Sequence, residues 1–302
     1  MSLIQDIQAL KAEISGLPEV ERLGYFKCWI KGYPDQSKKE EILTLWDIVN
    51  QYGLVDYPNQ ARQIVILLHG IRTEATWQSL IAQELRGLPN IEVFPIGYGW
   101  FDAVRFWSPK FLGLRKFPEQ KITREIRNIR SDHQGGDIVV VAHSFSTYLI
   151  GQILAEHTDI RIRKLILCGS IIPTEYRWDR VKTGKDGIAI VNDVGTRDLW
   201  PVMARIGSWG YGPSGTFGFK TSQIRDRYFN YSHSDFFSPD HVRKYWIPFI
   251  VDGRIVDSKW DVDRASSSAV LGFLAHVPFV KIVIPLVAIG AWLLARFLLS
   301  LI

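Results

Sequence analysis

Asp137-Ile138-Val139-Val140-Val141-Ala142-His143-Ser144-Phe145-Ser146-Thr147 is the stretch that decides how this chain folds. Ile138 to Ala142 is an unbroken apolar run rich in β-branched residues. Such a run reads as a strand buried on both faces, as in a parallel sheet covered by helices on either side. Thr147 to His157 then has a helical pattern. Little chain separates strand from helix, so the turn carrying Ser144 must be tight.

Working outward, short, mostly apolar runs recur at Ile64 to Leu68, Ile91 to Ile96, Leu165 to Cys168 and Ile188 to Val191. Amphipathic stretches lie between, at Trp77 to Leu85 and Glu119 to Arg130. Strands alternating with helices predict an α/β fold with a doubly wound, mostly parallel sheet. There are no internal repeats and no low-complexity linker.

Four segments are expected: a helical extension over residues 1–61, an α/β domain over 62–256, a juxtamembrane segment over 257–277 and a transmembrane anchor over 278–302. In the extension, Ile4, Ile7, Leu10 and Ile14 form one apolar stripe. Ser37-Lys38-Lys39-Glu40 has the form of a capping box opening a helix through Ile42, Leu43, Leu45, Trp46 and Val49, with Gly53 as its stop. The extension either packs on the core or forms a lid or small subdomain. Asp252-Gly253, between two β-prone runs in residues 247–256, predicts a hairpin closing the domain.

The chain has 302 residues, 47% hydrophobic and 22% charged, the balance of a globular protein. Its net charge is +5, but no basic helix and no run of five basic residues occurs, so nucleic acid is not an expected partner. A mildly basic face toward anionic lipid fits better. Cys28 and Cys168 belong to no metal-ligand spacing and read as two buried free thiols in a reducing compartment. MSLIQDIQALKAEIS carries charges throughout and reads as an amphipathic helix, not a secretion leader. Ile282 to Ile302 is 21 residues long, interrupted by one charge, Arg296. As a helix it would extend about 31 Å, close to the hydrocarbon thickness of a bilayer. The bland reading is a buried helix or an oligomer contact. Lys259, Arg264 and Lys281 lie on the N-terminal side of the span and no basic residue follows it, which places the large domain in the cytoplasm.

The chemistry centres on Ser144. A strand, a tight turn with small residues two before and two after the serine (Ala142 and Ser146), and a helix are the context of a nucleophile elbow. The plain alternative is a strand-to-helix loop with Ser144 as an N-cap. With this motif the sequence resembles the α/β-hydrolase family over residues 62–256, though it lacks both glycines of the family's G-x-S-x-G. Ile64 to Leu68 ending in His69-Gly70-Ile71 is similar to the family's oxyanion loop. The resemblance implies oxyanion amides on Ile71 and Phe145. It implies a catalytic acid in the loop after Ile188 to Val191, where Asp198 fits the Gly195-Thr196-Arg197-Asp198 spacing and Asp193 is the rival. It implies a base in Tyr231-Ser232-His233-Ser234-Asp235, with His233 the candidate and His241 the runner-up. Ser144, Asp198, His233 is the chain order of this fold. His143 is expected to lie beneath the elbow as a structural residue, and His69 to support its loop. Arg72 either meets an acidic substrate group or is a solvated surface residue. Trp100, Phe101, Phe106, Trp107 and Phe111 form an acyl pocket, a membrane-dipping loop or core.

The expected activity is hydrolysis of a small-molecule or lipid ester through an acyl-enzyme, with no metal and no cofactor. Alternatives are a non-catalytic binding or signalling protein on the same fold, and a peptidase or acyltransferase. The oligomeric state is not legible.

Overall fold

The computed structural model describes residues 3–16, 19–40, 42–43, 46, 62–70, 76–86, 88, 90–97, 106, 113–181, 187–219 and 221–258, with single positions at 272, 286, 289, 290 and 292. Six strands form one sheet: β1 (Gln63–Leu68), β2 (Ile91–Ile96), β3 (Asp137–His143), β4 (Lys164–Cys168), β5 (Ala189–Gly195) and β6 (Arg225–Phe229). All neighbours are parallel and the order is β2-β1-β3-β4-β5-β6. The first strand, β1, lies next to the edge; the chain adds β2 outside it, then returns across β1 to build the other four strands in order. This parallel sheet, with helices on both faces, fits the α/β-hydrolase architecture expected from the sequence.

Alternate side chains of the strands feed two cores. Val65, Leu67, Val139, Val141, Ile166, Cys168 and Val191 enter one core, together with α1 (Leu3–Ser15), α2 (Glu19–Gly32), α3 (Thr76–Arg86) and the C-terminal helical run. Ile64, Ile66, Leu68, Ile138, Val140, Ala142, Leu165 and Leu167 enter the other, with α4 (Lys116–Asp132) and α5 (Phe145–Glu156). Burying a side chain of this size stabilises by about 1.5–3 kcal/mol, so a central strand with no charge between its ends is a large asset. The described part of the N-terminal extension packs on the domain through Ile7, Leu10, Ile14, Phe26 and Ile30. Tyr33 Oη donates to Asp6 Oδ2 at 2.8 Å and pins α2 to α1.

Four expectations are corrected. Residues 247–252 are not a strand of a hairpin but α7 (Ile247–Asp252), which follows Pro239–His241 and a π-turn at Val242–Trp246. Pro248 lies in its first turn and Gly253 closes it with φ +76°, the left-handed cap that favours glycine. Ser37 does not open the helix after it. Asp35 caps a 3-10 turn at Gln36–Lys38, accepting from Ser37 N–H at 3.1 Å. Cys28 is exposed, and only Cys168 is buried. β5 also runs beyond Val191 to Gly195, so Asp193 is a strand residue and not a loop one.

Among the described residues no helix is long and apolar enough to cross a membrane. The expected anchor over residues 278–302 falls outside the description except at Leu286, Ile289, Gly290 and Trp292, which are helical. Leu286, Ile289 and Trp292 are exposed.

Candidate active site

Ser144 lies between the end of β3 and the first turn of α5 with φ +59° and ψ −123°. A non-glycine residue in that region is strained, at a cost of order 1–3 kcal/mol, and such strain gathers at functional sites. The surroundings hold it there. Ser144 N–H donates to Cys168 O at 3.1 Å, so the turn is tied to the end of β4. Ser146 Oγ lies 2.8 Å from Leu68 O and 2.9 Å from His143 O, and accepts from His143 N–H at 3.0 Å. Where the family pattern has a glycine, this chain has a buried serine that bonds the elbow to the end of β1.

Gly70 passes directly against the serine. A Cβ there would stand 2.9 Å from Ser144 Cβ and 3.3 Å from Ser144 Oγ, so a side chain would collide with the elbow. Gly70, just after β1, therefore borders Ser144. Ile71 and Arg72, expected as an oxyanion amide and a substrate contact, lie outside the described residues, as do Trp100, Phe101, Trp107 and Phe111. Phe145 is the first residue of α5, where backbone N–H groups lack partners within the helix. Phe106 is partly buried against the core, stacked 4.8 Å from Tyr211 and edge-on to Phe145 at 5.6 Å.

The structure brings Asp198 and His233 together. His233 Nδ1 and Asp198 Oδ2 are 2.8 Å apart. A carboxylate only accepts, so Nδ1 carries the proton and Nε2 is the ring's acceptor. Asp198 is fully buried and its second oxygen accepts from Trp200 N–H at 3.0 Å, while its carbonyl accepts from Thr216 Oγ1 at 2.7 Å. Gly195, at the end of β5, starts the turn: Asp198 N–H donates to Gly195 O at 2.9 Å.

His233 is joined to the elbow from two sides. His143 Nε2 donates to His233 O at 3.0 Å, and the two rings are 4.5 Å apart. Burial first, and His233 beside it second, push the His143 pKa well below that of a free imidazole, so His143 is neutral near pH 7. Gly169, next to the Cys168 that holds Ser144, has φ +55°. A Cβ on it would come within 2.8 Å of His233 Cε1 and 3.2 Å of His143 Nε2. Sequence reasoning missed Gly169 and the tether from His143. A glycine just past an apolar strand was the only signal.

Asp193 and His241, the rival acid and base, form a separate buried assembly. Arg227 binds Asp193 with two hydrogen bonds, of 2.7 and 3.0 Å, while His241 Nε2 and Trp246 Nε1 donate to it at 2.9 and 2.7 Å. Burial alone would raise this carboxyl. The charge of Arg227 and the bonds from His241 outweigh it and bring the pKa to about 2. Burial lowers that of His241. His69, expected as loop support, donates from Nδ1 to Gly70 O at 2.5 Å.

With the geometry in hand, known proteins can be set beside it. No family model and no curated protein matches the chain. Solved structures resemble it at a distance. A dienelactone hydrolase from Anabaena variabilis is 15% identical, covering 62% of this chain and 84% of its own at a TM-score of 0.41. The pyrethroid hydrolase PytH is 12% identical, covering 63% and 98% at 0.42. An α/β serine hydrolase without lid from Xanthomonas campestris is 12% identical, covering 65% and 83% at 0.38. At such scores these are likenesses only, and the site stands on its own distances.

Among the described residues no group of three or more His, Cys, Asp or Glu could hold a metal ion. Two concavities lie away from the elbow. One of about 560 Å³ is under the N-terminal ends of β3 and β4, beside Arg130, Asp137 and Arg163, and one of about 1000 Å³ is along β5 and β6. Neither is lined by Ser144, Asp198 or His233.

Proposed function

We propose that this chain is a serine hydrolase of carboxylic esters, with Ser144 as nucleophile, His233 as base and Asp198 as the acid that orients it. The observation that carries the reading is the strained backbone of Ser144, held between the ends of β1 and β4 and one residue from the groups that grip His233. A simple helix cap has no need of φ +59°.

In the reaction, His233 Nε2 takes the proton of Ser144 as Oγ attacks the ester carbonyl. The carbonyl oxygen becomes an oxyanion beside the start of α5, where the Phe145 amide stabilises it, with the Ile71 amide as the second donor in this proposal. The tetrahedral species collapses, the C–O bond to the alcohol breaks, and His233 hands its proton to the leaving oxygen. Water then attacks the acyl-enzyme, His233 again taking the proton, and the free acid leaves. Asp198 keeps Nδ1 protonated throughout and steadies the imidazolium.

The second part of the proposal is that residues 278–302 anchor the domain to a membrane, with the domain on the cytoplasmic side and lipid esters within reach. The apolar length of this segment and the exposure of Leu286, Ile289 and Trp292 support it. Deleting residues 278–302 should move the protein from the membrane to the soluble fraction, and an unchanged distribution would remove the anchor. For the chemistry, a fluorophosphonate probe should label the wild-type chain and not Ser144→Ala. No labelling of the wild type, or equal labelling of both, ends the nucleophile assignment.

A further inference from the structure

Helix α6 (Trp200–Gly207) begins two residues after Asp198. Its inner face is buried, with Val202 at 0% and Ala204 at 3% exposure. The outer side of its first turn, with the capping Leu199, exposes apolar side chains: Leu199 is 44% exposed, Trp200 64% and Met203 40%. One exposed apolar side chain is ordinary, but three at the cap and first turn of one short helix mark a contact surface. This surface adjoins the site. The Trp200 ring lies 6.1 Å from the His233 imidazole, inclined at 46°.

The surface is also held rigidly. Trp200 N–H donates to Asp198 Oδ1, while Asp198 Oδ2 accepts from His233. One carboxylate therefore fixes both the imidazole and the start of the helix that presents Trp200. Thr216 anchors the same residue through its carbonyl. Whatever reaches His233 meets Trp200 at a set position.

We propose that Leu199, Trp200 and Met203 seat the apolar alcohol portion of the ester substrate. This rests on the reading of Ser144, Asp198 and His233 given above. The chemistry selects the alcohol rather than the acyl side. The imidazole that accepts the serine proton must deliver it to the departing alcohol oxygen, so that oxygen comes within hydrogen-bond reach of His233. The carbon chain attached to it must pass the imidazole, and Trp200, exposed and 6.1 Å from that ring, offers it an apolar surface. Aromatic and thioether side chains give such a chain broad dispersion contact, and Met adapts to its shape. The preferred substrates are esters of long or aromatic alcohols, and discrimination arises in the acylation step.

The test uses the full-length protein in detergent micelles and two ester series. In one, acetate esters run from methyl to octyl alcohol. In the other, ethyl esters run from acetate to octanoate. The wild type should favour octyl over methyl acetate by tenfold or more in kcat/KM. Trp200→Ser combined with Met203→Ser should reduce that preference at least tenfold, while the octanoate-to-acetate ratio moves less than threefold. Trp200→Leu, which keeps an apolar surface, should restore most of the alcohol preference. An equal fall in both series, or a fall in the acyl series alone, overturns the proposal. So does unchanged alcohol preference with weaker binding to phosphatidylcholine vesicles, which would make the patch a membrane contact. Fluorophosphonate labelling separates the two levels of the argument. Labelled Ser144 with unaltered alcohol preference removes only the seat for the alcohol. Absence of label removes the hydrolase reading with it.

Discussion

Among the described residues, two aspartate–histidine pairs look alike by distance, Asp198–His233 at 2.8 Å and Asp193–His241 at 2.9 Å. Both carboxylates are fully buried. They differ in what else touches them. Asp193 is closed off by Arg227 and Trp246, and its histidine side chain is entirely enclosed. Among the described residues, the second ring nitrogen of His241 has no hydrogen-bond partner. Among the described residues no arginine or lysine pairs with Asp198, and its histidine keeps 18% of its side chain exposed. A carboxylate answering to an arginine is committed to one charge state and one geometry. A carboxylate answering to a partly open imidazole can follow that ring as it gains and loses a proton. In the proposed reaction Asp198–His233 serves chemistry, whereas Asp193–His241 is built for stability, although the pair distance alone would not tell them apart.

Substitutions can break this contrast. Asp198→Asn should lower ester turnover about 10³–10⁴-fold with little change in melting temperature, because the amide leaves Nδ1 in the wrong tautomer while still capping α6. Steady-state kinetics with calorimetry check both halves. Asp193→Asn should do the reverse. It leaves the buried Arg227 charge unpaired and should cost about 3–5 kcal/mol of stability in denaturant unfolding, while fluorophosphonate labelling of the folded fraction stays within about twofold of wild type. If each variant produced the other's phenotype, the assignment of the two pairs would be reversed.

The acid limit sharpens the same contrast. The Asp193 pKa is about 2 in the folded state against about 3.9 in an unfolded chain, so this pair's contribution is complete above about pH 4. It is lost as pH falls through about 2, and Asp193→Asn should flatten the stability profile in that window. Gly169→Ala comes next. Its Cβ would press on the His233 ring from a backbone at φ +55°. Displacement of that kind should lower kcat about 10²-fold with a smaller effect on KM.

The smallest effect concerns His143. Its folded pKa lies well below the ordinary 6.5, so the unfolded chain binds a proton first. Stability carried by the neutral ring is present above about pH 6.5 and declines as pH drops below it. His143→Gln removes that titration, and its melting temperature should vary less between pH 7 and pH 5 than that of the wild type.

Much of this was legible from residue order, for a physical reason. Strands buried on both faces must be apolar throughout, so Ile64 to Leu68 and Ile138 to Ala142 announce themselves. The elbow was legible because a tight turn demands small residues at 142 and 146. Ile247 to Val251 was misread because a short apolar run fits strand and helix equally. Pro248 near its start and Gly253 after its end are the asymmetry that marks a helix, and they outweigh the β propensity of the run. The apolar run ends at Val191, so nothing local extends the strand through Asn192 and Asp193 to Gly195. Only the fold brings Arg227, His241 and Trp246 to Asp193. The tether from His143 to the His233 carbonyl likewise joins residues far apart in the chain, and no local pattern encodes it.

The winding of the sheet has a consequence for how the protein is made. β1 emerges from the ribosome before its partner β3, since Gln63 pairs with Asp137. At about 5–20 residues per second, that wait lasts roughly 4–15 seconds. Throughout it, Ile64 to Leu68 carries an open edge of backbone donors and acceptors among purely apolar side chains, a template for association with other nascent chains. Biosynthesis, more than the finished molecule, is then the vulnerable stage. Changes that slow the arrival or docking of β3 should show first as a lower yield of folded protein, and a chaperone that shields short apolar strands should recover it.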